Sequence, residues 1–124
     1  MIARGLSGIV GLIMLYTCVG WIVDPASAAA GLAMPLLEGM GGNTQIGDLT
    51  SFFFTAGVFA CIGAFRAEHV WLYASISLLG SAAVFRSLAI VAHGSVPLTQ
   101  AIVFEIIMTA VLVLCVYLMK KENA

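Results

Sequence analysis

The chain has 124 residues, 62% hydrophobic and only 9% charged, with a formal net charge of -1. Soluble domains carry about a quarter charged residues, so this composition excludes a water-exposed fold and marks an integral membrane protein. The charge balance excludes a basic nucleic-acid binder, and the length fits one transmembrane domain, residues 1–124.

A spanning helix needs about 20 predominantly apolar residues. The first span is expected at Gly5 to Val23, "GLSGIVGLIMLYTCVGWIV", ending at Asp24-Pro25. Its flank also resembles a signal peptide, because Ala26-Ser27-Ala28 has the pattern of a cleavage site. The apolar stretch is long for that purpose, so an uncleaved first helix is expected. The connection that follows, Asp24 to Gln45, contains "PASAAAGLAMPLLEGMGGNTQ", which is apolar but too short to span. It predicts a short interfacial helix broken at Pro35, then a turn at "GMGGN". A connection of this length is long for a small bundle and favours a cap or lid.

The second span is expected at Ile46 to Phe65, the third at Val70 to Ala92 and the fourth at Leu98 to Met119. "RAEH" at Arg66 to His69 and "HGSVP" at His93 to Pro97 are short enough to make antiparallel hairpins. The expected fold is therefore an all-α, four-helix integral membrane bundle. Arg4, Arg66, Lys120 and Lys121 flank one side of the spans, while the first and third loops hold no lysine or arginine. That asymmetry predicts cytoplasmic termini, N-in and C-in. Small residues such as Gly8, Gly11, Gly57, Ala60 and Gly63 predict close helix contacts. In Phe52-Phe53-Phe54, at least one ring must face lipid or a partner. Trp21 is expected in the outer interfacial belt, and Trp71 with Tyr73 in the inner one.

Arg86 stands in the greasy run "SAAVFRSLAIVAHG". Measured from the centre of the turn near Ser95-Val96, Arg86 and Glu105 lie equally far along the third and fourth spans. At 1.5 Å per residue they share one depth, roughly one-third of the way in from the outer surface. Intramembrane charges normally face the bundle interior and pair, so Arg86 is expected to meet Glu105. His93, two turns outward on the same face, and Asp48, near the start of the second span, are expected at the mouth of an outer polar pocket. Thr109 is expected one turn deeper than Glu105. The group Arg86, Glu105, Asp48 and His93 is thus a candidate ligand site or a structural ion pair.

Cys18, Cys61 and Cys115 lie in apolar runs without redox or metal spacing and are expected to be inert packing groups. His69 and His93 fall on opposite sides of the membrane. No CxxC, HExxH, phosphate-binding glycine loop or nucleophile elbow occurs. No enzyme activity, catalytic residue, metal or cofactor is therefore expected.

The helix ending in Asp24-Pro25, the stretch "TAGVFACIGAF" and "FRSLAIVAHGSVP" together resemble the DoxX/DoxD-like clan of small four-helix membrane proteins. The likeness is greatest to an uncharacterised bacterial branch, in which an arginine before a glycine-proline turn and a glutamate early in the fourth helix are usual. Arg86, Gly94, Pro97 and Glu105 match that pattern, whereas the start of the second span near Asp48 lacks the arginine the branch carries there. The resemblance spans nearly the whole chain. It implies the fold, a bacterial inner membrane, and roles in redox complexes, accessory subunits or chaperone-like assemblies. Two functions follow as expectations. The first is an accessory or structural subunit packed against a larger membrane complex or a second copy, with lipids around it. The second is binding of a lipid, quinone or other amphiphile at the outer pocket, under the Asp24–Gln45 lid.

Overall fold

A computed structural model describes residues 1–123. All its regular elements are helical: α1 (Ile2–Val23), α2 (Pro25–Gly31), α3 (Gly39–Arg66), a 3-10 turn (His69–Trp71), α4 (Leu72–His93) and α5 (Thr99–Glu122). Four of these segments are long and apolar enough to cross a membrane. At 1.5 Å per residue the 22 residues of α1 reach about 33 Å, matching a hydrocarbon core of about 30 Å. In the most apolar stretch of each span only 17% to 33% of residues are buried. So much outward apolar surface has no place in water, and the chain is an integral membrane protein.

The long helices pack in a closed order: α1 against α3 and α5, and α4 against α3 and α5. On α1 the buried positions Ala3, Ser7, Val10, Met14, Cys18 and Trp21 recur every three or four residues, forming one helical stripe. Trp21 belongs to that stripe and is 1% exposed. It is a core residue and not the belt residue expected from its position near the helix end, because its angular position outranks its depth. Phe54 is the outward ring of the phenylalanine run, while Phe53 is buried.

The α1–α3 contact is the closest. A Cβ on Gly11 would lie 2.9 Å from the Gly57 carbonyl oxygen, and one on Gly57 would lie 3.0 Å from the Gly11 carbonyl oxygen. Two helices can come this near only where both lack side chains. Ser75 ties α4 to α3 by donating to the Ala56 carbonyl at 2.6 Å.

The core is lopsided. On α4 the buried residues are Leu72, Ser75, Leu79 and Ala83, all within its first twelve residues from the α3–α4 loop. On α5 they are Glu105, Leu112, Cys115, Val116 and Met119. The loop end is also clasped by polar contacts. Arg4 donates to the Ala64 and Phe65 carbonyls at 2.8 and 3.0 Å, covering carbonyls that a helix end leaves free. Glu68 accepts from the Trp71 indole at 2.9 Å and from Arg66 at 3.2 Å. The Trp71 hydrogen bond, with help from the Arg66 charge, holds the Glu68 carboxyl below its usual range.

The opposite end is covered by the α1–α3 connection. Asp24 caps α2, accepting from the Ser27 amide and hydroxyl, and Pro25 occupies the first turn. The short helix stops at Gly31, earlier than the break expected at Pro35, and Ala33 turns the chain with φ of 59°. The stretch expected to turn at "GMGGN" is instead the first part of α3, which starts at Gly39 rather than Ile46. The cause is tertiary. Gln45 accepts from the Leu37 amide at 2.9 Å and donates to the Pro35 carbonyl at 3.2 Å, fastening the strap onto helical α3. Gly42 lets the Leu37 carbonyl sit where a Cβ would collide with it.

Gly11→Val should overpack the α1–α3 contact and destabilise the fold by about 1 to 3 kcal/mol, read as a lower thermal midpoint in detergent. Gly20→Ala should leave the midpoint unchanged or raise it, since nothing lies within 4 Å of a Cβ there. Equal losses in both variants would refute the close-contact account.

Candidate functional site

The site is built on the α4–α5 hairpin. Gly94 closes α4 in the left-handed conformation with φ of 63°, its amide bonding to the Ile90 carbonyl and that of Ser95 to the Ala89 carbonyl. The chain then reverses, and α5 begins at Thr99. This turn brings residues 86 and 105 to matching depth. Arg86 Nε donates to both oxygens of Glu105, at 3.0 and 3.2 Å. Glu105 is 6% exposed, whereas the Arg86 side chain retains 33%. The Arg86 Nη groups have no protein partner among the described residues.

Beside the pair lies a cavity of about 350 Å³ to which all five α-helices contribute. Thr17 comes from α1, Leu32 from the end of α2, Phe53 from α3, Leu79 and Arg86 from α4, and Gln100, Phe104 and Glu105 from α5. The lining is mainly apolar, with the ion pair and two uncharged polar groups, Thr17 and Gln100. Arg86 is the only cation and Glu105 the only anion in this lining, so the site is charge-balanced. A guanidinium offers donors alone, and among the described residues only the Nε donor of Arg86 meets a protein partner.

Arg86 and Glu105 are thus brought together, but Asp48 and His93 stay apart from them. Both are exposed, and among the described residues neither contacts the pair by a hydrogen bond or ion pair. Asp48 precedes Leu49, which does line the cavity. One residue along a helix turns the side chain by about 100°, which carries Asp48 off the lined face. His93 is the last residue of α4, about two turns beyond Arg86. Thr109 lies behind the pair, close to Gly80, with its hydroxyl buried and unpartnered among the described residues.

The apolar lining and Gln100 are additions to the sequence reading. Their signal is helical spacing from the charged residues: Leu79 and Ala82 lie seven and four residues before Arg86 on one helix, and Ala101 lies four before Glu105 on the other. The contributions of Thr17 and Leu32 have no such signal, because they depend on how α1 and the strap meet the hairpin. The three cysteines are free; Cys18 and Cys115 are buried and Cys61 is partly so. Among the described residues no three histidine, cysteine or carboxylate side chains gather to hold a metal.

Comparison with family models, curated proteins and solved structures yields no match to this chain. The site therefore rests on its own geometry.

Arg86→Met and Glu105→Met should each destabilise the protein, because each leaves a charge unpaired. The loss expected for a broken buried pair is about 3 to 5 kcal/mol, reduced where water reaches the part-exposed arginine. The double variant should recover much of it. Thermal midpoints of the four proteins in one detergent test this, and additive losses would show that the pair is not energetically coupled.

Proposed function

We propose that this is a four-helix membrane bundle that binds an amphiphile in its outer half, the polar head on Arg86 and the chain against Leu79, Phe53 and Phe104. The observation that carries this reading is the cavity itself. Its volume of about 350 Å³ lies in the range of about 300 to 1,000 Å³ usual for small-molecule sites, which are mostly apolar with a few convergent polar groups. Intramembrane ionisable residues beside a cavity are functional candidates.

The accessory-subunit reading ranks second. Phe54 and Phe65, at 53% and 82% exposure, offer surface to a protein partner, but lipid covers such surface equally well. The N-in, C-in orientation is supported by the gathering of Arg4, Arg66, Lys120 and Lys121 at the clasped end. Membership of the DoxX/DoxD-like clan, and with it a bacterial inner membrane, rests on the sequence resemblance alone.

Purification in a gentle detergent followed by native mass spectrometry tests the function. The expected result is one amphiphile per chain, lost in Ala101→Phe, which fills the cavity from its α5 wall. An empty chain accompanied by a stoichiometric protein partner would instead favour the accessory role. For orientation, single cysteines placed at Asn43 and Lys121 in a cysteine-free background should react with an impermeant maleimide from opposite sides of the membrane. Labelling of both from the same side would overturn the assignment.

A further inference from the structure

Resting on the amphiphile reading, the geometry points to a narrower ligand class: an uncharged, single-chain amphiphile with a carbonyl-type head, its chain running beneath α2. We infer the head from the charge balance. The cavity holds one cation and one anion, already paired through Arg86 Nε. A carboxylate or phosphate head would bring a second negative charge beside Glu105 with no second cation in the lining. An ammonium head would meet the guanidinium. Either leaves a net charge in an apolar setting, which is strongly unfavourable. An uncharged carbonyl accepts from the two unpartnered Nη groups and leaves the site neutral. It also matches a guanidinium that can only donate.

The chain path comes from an open groove. A space of about 550 Å³ lies between α1 and α2, with Tyr16, Val19 and Val23 on its lining. It shares Thr17, Gly31, Leu32 and Phe53 with the first cavity. The boundary between the two includes a glycine, and a Cβ placed on Gly31 would meet nothing within 4 Å. The two spaces therefore adjoin across a gap bordered by these four shared residues, beside the short helix that covers this end of the bundle. Asp24 and Pro25 anchor one end of that helix, and the Gln45 hydrogen bonds hold the strap that follows it. The gap is thus held open by fixed backbone.

Shape supports one chain rather than two. The two spaces meet at one set of shared residues, Thr17, Gly31, Leu32 and Phe53, and so offer a single track that seats one acyl chain.

The test uses the purified full chain in detergent, exposed separately to monoolein, oleate at pH 8, oleylamine and dioleoylphosphatidylcholine, with bound adducts read by native mass spectrometry. One monoolein per chain is expected, with the charged or two-chain probes retained at least about ten-fold less. Gly31→Leu should lower monoolein retention by about ten-fold or more with an unchanged thermal midpoint. Thr17→Leu blocks the same gap from α1 and serves where the first variant does not fold. Arg86→Lys keeps a cation for Glu105 but removes the guanidinium fork, and should lose monoolein as well. Oleate or oleylamine held as tightly as monoolein would overturn the uncharged head, while leaving amphiphile binding intact. Retention of the phospholipid would overturn the single chain in the same way. Undiminished monoolein binding in a folded Gly31 or Thr17 variant would overturn the path beneath α2. A wild-type chain that holds none of the four probes would overturn this inference; if it also purifies without any native amphiphile, the broader reading falls with it.

Discussion

A guanidinium and a carboxylate inside a hydrocarbon layer must find each other, and this necessity organises the half of the protein nearer the α4–α5 turn. Arg86 Nε spans both oxygens of Glu105, so α4 and α5 cannot slide or rotate against each other without separating two charges. Polar contacts between membrane helices contribute only about 0.6 to 2 kcal/mol net, yet the register they enforce is strict because the alternatives leave a charge alone. The Gly94 turn sets the distance along each helix at which the two residues meet.

The two ends of the molecule handle packing differently. Toward the α3–α4 loop, small residues let helices close tightly: Gly11 faces Gly57, and Ala56, Ala60, Leu72 and Leu112 are fully buried. Toward the strap, α4 and α5 bury few residues and the space beside them is left to the cavity. No residue of α4 beyond Ala83 is buried. Shape accounts for the contrast. Close α1–α3 contact needs side chains no larger than alanine, whereas Phe52, Phe53 and Phe104 line the cavity nearer the strap. Bulky rings hold neighbouring helices apart, and a half-buried ion pair adds a polar wall that apolar side chains do not fill.

The strap completes this arrangement. A short capped helix followed by an irregular segment could lie loosely at a membrane interface, but Gln45 binds both a carbonyl and an amide of that segment. Its hold also explains why α3 runs on through glycine-rich sequence to Gly39. Glycine and asparagine are weak helix formers, and here their cost is offset by contacts available only when the helix extends far enough to meet the returning chain.

What the sequence by itself determined is the number of the four apolar helices and their apolar cores, the hairpin between the third and fourth spans, and the meeting of Arg86 with Glu105. These depend on apolar run length, the rise per residue and the position of one turn, all of which are local or nearly so. The matched depth could be counted directly along the chain. What only the tertiary structure decided is which other residues join the pair. Asp48 stands at the right height but one residue off the lined face, and His93 stands on the right helix but beyond its packed part. Trp21 turned inward, and Thr17, Leu32 and Gln100 came to the cavity, through the angle at which each helix presents itself to its neighbours. That angle is set by the sum of many weak contacts between segments distant in sequence, so no single stretch of sequence contains it.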